Sequence, residues 1–147
     1  MKRVIIESPY AGDVERNVKY AREALRHSLL LGEAPIASHL LHTQVLDDTV
    51  PEERLLGIRA GTAWFEGADV VAFYVNYGMS GGMRGAAGRL KDLAMAALPV
   101  PSQVFRFKAM DGVTWLEEDS LQKLGARLKP VLPGALWDDF VGRPPPR

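Results

Sequence analysis

Residues 69–75 read DVVAFYV, and NYGMSGGM (76–83) follows at once. After the leading aspartate the run is apolar on both alternating faces, the pattern of a strand covered above and below. Such a strand belongs in a parallel sheet, whose neighbours need crossover helices between them. Working outward, RVIIE (3–7) is a short β-branched run closed by Ser8-Pro9, and APIAS (34–38) is another short strand. Between them, GDVERNVKYAREALRHSLLLGE (12–33) spaces Val14, Val18, Ala21, Leu25 and Leu29 at steps of three and four. That spacing predicts an amphipathic helix, with Asp13 as N-cap and Gly32 just past its end.

The segment TVPEERLLGIRAGTAWFEGA (49–68) predicts a second helix to about Glu66, because Thr49 and Glu52 have the spacing of a capping box. HLLHTQVLDD (39–48), before it, reads as irregular. Met83, Ala87, Leu90, Ala94 and Ala97 make the stripe of a third helix, and a further strand is expected around Val104–Phe107. Asp111-Gly112 predicts a turn, EEDSLQKLGARL (117–128) a short helix with Leu121, Leu124 and Leu128 on one side, and GRPPPR (142–147) a loose tail. Strands alternating with helices give an α/β fold, a short parallel sheet with helices on both faces.

The 147 residues fit one domain with a real core, and 47% apolar against 24% charged is ordinary for a globular chain. Eighteen basic residues balance eighteen acidic ones, so a broad electrostatic grip on nucleic acid is not expected. Without cysteine there are no disulfides, thiolate metal sites or cysteine nucleophiles. The apolar run at the N-terminus is too short for a signal peptide, and nothing approaches the ~18 apolar residues of a membrane span. A soluble, cytoplasmic protein is the expectation.

In a parallel α/β sheet ligands bind outside the carboxyl ends of the strands. Glu7, Ser8, Pro9 and Tyr10 stand at the end of the first strand, His39 and Gln44 follow the second, and Asn76, Tyr77, Ser80, Gly81, Gly82, Met83 and Arg84 follow the third. A carboxylate screened by tyrosine and proline can have a raised pKa and act as acid, base or nucleophile; its bland alternative is a solvated loop residue. Glycines before a helix expose N–H groups where phosphate or carboxylate docks; the alternative is a tight turn with close helix–sheet packing. His39, His42, Asp47 and Asp48 lack metal-ligand spacing, so no metal or other cofactor is expected; the segment reads as a loop covering a ligand, with His39 or Gln44 contributing, or equally as a plain surface loop. No Ser-His-Asp order stands out, and the G-x-S-x-G elbow is absent.

ESPYAGDVERNVKYAR (7–22), GEAPIASHLLHTQVLDD (32–48), VPEERLLGIRAG (50–61) and MSGGM (79–83) together resemble the nucleoside 2-deoxyribosyltransferase-like superfamily, in a branch met in phages and actinobacteria. The resemblance covers roughly residues 3–107 and implies a flavodoxin-like three-layer sandwich over 1–108, with 109–147 as a C-terminal extension. It also implies cleavage of an N-glycosidic bond, with a glutamate attacking the anomeric carbon and an aspartate protonating the departing base. Those two positions fall on Ala86 and Asn76 here, so the usual carboxylates are replaced, and Glu7 is the carboxylate left to react.

Two readings stand. One is an N-glycosidase or deoxyribosyltransferase in which Glu7 reacts, Tyr10 and His39 position the ligand, and Ser80, Gly82 and Met83 line a phosphate pocket. The other is a binding protein that keeps the nucleotide pocket without the chemistry. Relatives often build each site from two subunits, which implies a homo-oligomer. Trp115, Leu121, Leu124 and Trp137 are the residues expected at that contact.

Overall fold

The computed structural model describes residues 1–95 and 104–128; the expected Pro-rich tail, Ala97 and Trp137 lie outside them. In chain order the elements are β1 (Arg3–Glu7), α1 (Val14–Leu30), β2 (Ala34–Ile36), α2 (Ser38–Leu41), α3 (Pro51–Ala63), β3 (Val70–Tyr74), α4 (Gly81–Met95), β4 (Val104–Met110), β5 (Trp115–Glu118) and α5 (Leu121–Leu128). Single 3₁₀ turns follow α2 and α3. The five strands form one sheet in the order β2-β1-β3-β4-β5, parallel except for β5. It is a mixed α/β fold built as a three-layer sandwich.

The stretch DVVAFYV supplies β3, and every residue from Val70 to Val75 is buried. Its side chains alternate between two cores. Val70, Ala72 and Tyr74 join Val4 and Ile6 of β1 against Tyr20 and Ala24 of α1. Val71, Phe73 and Val75 join Ile5 against Phe65, Met83, Ala86 and Leu90, with Leu124 and Leu128 of α5 beside them.

Several expectations need correction. The buried face of α1 runs through Asn17, Tyr20, Ala21, Ala24 and Ser28, while Val14 and Leu29 are exposed. The polar members fit because they are paired: Asn17 Nδ2 donates to the carbonyls of Tyr10 and Ala11, and Ser28 Oγ donates to Glu33. The expected capping box does not form. Helix α3 starts at Pro51, Val50 is its N-cap with no side-chain bond, and the Thr49 hydroxyl donates to Asp47 instead. Ser38, expected to end the second strand, starts α2 instead, and residues 39–44, expected to be irregular, form the rest of α2 and a 3₁₀ turn. Asp13 does cap α1, accepting from Arg16 N, and Gly32 past its end has φ +79°.

Strand β5 was not foreseen. It returns from the Asp111-Gly112 turn and pairs antiparallel with β4, from Met110↔Trp115 to Phe107↔Glu118. The C-terminal extension thus begins inside β4 and its described part completes the sheet. Leu124 is fully buried, and Trp115 packs on Tyr74 and His27, so these side chains serve the chain's own core. The large apolar side chains left exposed include Leu55, Leu56 and Ile58 of α3.

One buried cation lies on the α1 face. Lys108 is 1% exposed, sits over the Tyr74 ring, and pairs with Glu33 at 3.6 Å and Glu117 at 3.8 Å. Two carboxylates offset the cost of burying its charge. His27 donates to or accepts from the Tyr74 hydroxyl at 2.9 Å, and its pKa is lowered by burial first and then by Lys108.

Candidate functional site

A cavity of about 810 Å³ opens at the carboxyl ends of β1 and β3, under α2 and α3. Its position follows from topology. Strands β2 and β3 leave β1 in opposite directions, and loops at such a switch point diverge to leave a crevice. Glu7, last in β1, alternates with Ile6 and so shares Ile5's side of the sheet, the side of α4. It lines the cavity together with Ser8, Tyr10, His39 and the start of α4.

Glu7 makes no hydrogen bond or ion pair among the described residues, and burial alone raises its pKa to about 8. It is therefore a neutral carboxylic acid at pH 7, holding a proton it can donate. Beside it, Ser8 Oγ and His39 Nε2 share a hydrogen bond of 2.7 Å. Burial lowers His39 to about 4, so its imidazole is also neutral. Sequence order gave no sign of this pair, because thirty-one positions separate the partners.

Across the cavity α4 begins at Gly81. Ser80 is its cap: the hydroxyl accepts from Met83 N at 3.3 Å and the carbonyl from Arg84 N at 2.9 Å. Neither close packing nor a left-handed backbone explains Gly81 and Gly82. A Cβ at Gly81 would meet nothing within 4 Å, and one at Gly82 only the Ser80 hydroxyl at 4.0 Å. Both have ordinary negative-φ geometry, whereas Gly78, at φ +80°, does need its glycine. The packing alternative for these two glycines therefore fails, and open space faces their backbone. Gly61 differs again, since a Cβ there would fall 2.6 Å from Ser38 Oγ; it is a close approach between α3 and α2.

Three expected site residues do not reach the cavity. Gln44 donates to Leu40 O and is exposed. Pro9 is buried but not in the lining. Asn76 turns away from the cavity altogether. Its Oδ1 accepts from the Tyr20 hydroxyl at 2.9 Å and from Met110 N at 2.7 Å, and its Nδ2 donates to Met110 O at 2.8 Å. The side-chain amide thus continues the β3–β4 ladder one rung beyond Val75 N, which donates to Lys108 O. Ala86, by contrast, lines the cavity wall. Ser8, Tyr10, His39, Ser80, Gly81, Gly82, Met83 and Arg84 all line it as well.

On the far wall stand Glu53 and Arg54, which no motif marked out, beside Asp48 of the expected ligand-covering loop. Asp48 and Arg54 form an ion pair of 2.6 Å there, next to Glu53, whose carboxylate accepts from Asp47 N. Tyr77, which follows the third strand, stands 47% exposed at the rim, with the Arg16 guanidinium 3.9 Å from its ring centre. Among the described residues no cluster of three or more His, Asp or Glu side chains is arranged to hold a metal, and no helix is long and apolar enough to cross a membrane.

A family model described as a domain of unknown function (DUF7768) matches residues 2–98, well over half the chain and all of the cavity's lining. Neither the curated proteins nor the solved structures give a match.

Proposed function

We propose that this chain, which belongs to the DUF7768 family, holds a nucleoside or nucleotide in the cavity at the carboxyl ends of β1 and β3. The observation that carries the reading is Glu7, a carboxyl group without a partner, opposite a glycine helix start whose backbone faces open space. A charged Glu7 would repel a phosphate at α4; a protonated one does not, and offers a donor to sugar or base. The resemblance to deoxyribosyltransferases gives the ligand class, and the volume suits a nucleotide.

The same protonation state defines the chemistry. Ala86 supplies no nucleophile, and the far-wall carboxylates are engaged, Asp48 by Arg54 and Glu53 by Asp47 N, so this reading uses no covalent glycosyl-enzyme. Glu7 acts instead as general acid. The C1′–N bond breaks, the departing base takes the Glu7 proton, water adds to C1′, and the water's proton returns to the Glu7 carboxylate. A binder without turnover would use the carboxyl only as a hydrogen-bond donor.

Incubation with nucleosides and deoxynucleotides, following free base by chromatography and thermal shift in parallel, tests both. Base release identifies the hydrolase, a raised melting temperature without release identifies the binder, and neither result across the panel removes the nucleotide reading. Gly82→Ala is expected to hold or raise stability, by up to about 1 kcal/mol in denaturant unfolding, since alanine favours helix. Its added methyl would nonetheless weaken phosphate-bearing ligands in the same titrations.

A homo-oligomer forms part of this proposal, with Leu55, Leu56 and Ile58 of α3 as its apolar face beside the cavity. Light scattering on Leu56→Glu, expected to run as a smaller species than the parent chain, tests it.

A further inference from the structure

Tyr77 stands at the cavity rim in the turn Val75–Gly78, closed by Gly78 N donating to Val75 O at 2.9 Å. A ring 47% exposed beside a cavity would ordinarily be mobile, but this one is braced. The Arg16 guanidinium lies 3.9 Å from its centre, and Tyr20 meets it edge-to-face at 4.9 Å. Both braces are themselves fixed. Arg16 Nε and Nη2 donate to Asn17 Oδ1, and Asn17 Nδ2 donates to the carbonyls of Tyr10 and Ala11. The Tyr20 hydroxyl donates to Asn76 Oδ1 and accepts from Asn76 N. The loops after β1 and β3, the two lips of the cavity, are thereby joined through one aromatic ring.

Nothing in the fold requires that ring. It belongs to neither core cluster, and its exposure means it contributes little burial. A planar ring held in place loses little entropy when another plane stacks on it. The Arg16 guanidinium draws π-density toward itself, which favours an electron-rich heterocycle as the ring's stacking partner.

We infer that Tyr77, braced by Arg16 and Tyr20, is the stacking platform for the aromatic base of the cavity's ligand. The inference rests on the nucleotide reading above and narrows it. The ligand must carry a flat heterocycle as well as the group that meets α4, so sugar phosphates without a base are poor ligands. Stacking on Tyr77 is tolerant of base identity, because every base has a π-face.

The test compares the parent chain, Tyr77→Phe and Tyr77→Ala by calorimetric titration. The probes are 2′-deoxyadenosine and thymidine 5′-monophosphates, with 2-deoxyribose 5-phosphate as the base-free control. Tyr77→Ala is expected to weaken both nucleotides roughly 10- to 100-fold, Tyr77→Phe to retain most of the affinity, and the sugar phosphate to be unaffected by either change. Equal losses for nucleotides and sugar phosphate, or no loss for the nucleotides, would overturn the platform while leaving the nucleotide pocket standing. No binding of either nucleotide to the parent chain would overturn both. Thermal unfolding of each variant checks that the exposed position leaves the fold intact.

Discussion

Glu7→Gln is expected to make the protein more stable, and increasingly so as the pH rises. The Glu7 carboxyl has a pKa of about 8 in the folded chain against an ordinary value of 4.5. Between those values the unfolded chain has lost the proton and the folded chain keeps it, so stability falls as pH rises. Glu7 costs nothing below pH 4.5, and its full penalty is reached above pH 8. Glutamine, with similar shape and no charge, escapes that penalty. Allowing for water in the cavity, the gain above pH 8 is on the order of 2–4 kcal/mol, shrinking toward zero at pH 4. Urea unfolding of both proteins from pH 4 to 9 measures it, and parallel curves would show that the carboxyl is solvated. In binding, the glutamine imitates the protonated acid. The parent chain's affinity for a nucleotide is expected to fall by up to tenfold per pH unit above 8, the variant's to stay level, and base release, if the parent shows it, to vanish. A measured gain in the variant would support the proposed ligand site, since groups kept for binding often cost the fold stability.

Asn76→Asp carries the opposite expectation. It puts back the acid that the resemblance associates with this position, yet it should produce no base release, because the side chain faces Tyr20 and Met110 rather than the cavity. The cost falls on the fold. An aspartate keeps the acceptor for Met110 N and the Tyr20 hydroxyl but loses the Nδ2 donor, and sets a carboxylate oxygen against the Met110 carbonyl at about the 2.8 Å now bridged by a proton. Losing that bond and leaving buried groups in repulsion should cost about 2–4 kcal/mol, read as a lower urea midpoint at pH 7. Lowering the pH far enough to protonate the aspartate should recover part of the loss. Full stability together with base release would mean that the loop after β3 turns toward the cavity in solution.

How much was legible depended on whether local pattern or distant partners decided each residue. Residues 70–75 announced β3 because burial on both faces leaves no polar position in the run. The cavity's place followed from strand order alone, and with it the positions of Glu7 and the glycines at 81–82 in its lining. Periodicity failed on α1, where Asn17 and Ser28 take core positions that Val14 and Leu29 were expected to hold. Hydrogen bonds to the loops at each end make those polar side chains better sheet-facing residues than their hydropathy suggests. The Thr49–Glu52 spacing was a true motif with the wrong outcome, since Asp47 competes for the threonine hydroxyl. Strand β5 was missed because four residues with two glutamates carry no apolar alternation. Asn76 and the Ser8–His39 pair share one reason: the partners that orient them lie elsewhere in the chain, where spacing carries no information. Gln44 fails for a local reason, since residues 38–44 are helical and its amide donates back to Leu40 O.

The sheet order also has a consequence for the birth of the protein. Strand β1 is made before the other strands of its sheet, and β2 can join it after one helix, but β1's other edge waits for β3. Val4 pairs with Val70, and Glu7 with Phe73, across more than sixty intervening residues. Until that stretch is made, the Val4–Ile6 edge is an apolar strand without a neighbour, the kind of surface that draws in other nascent chains. Closing so long a loop is slow compared with forming α1. Synthesis that pauses before residue 74 therefore leaves this apolar edge exposed for longer.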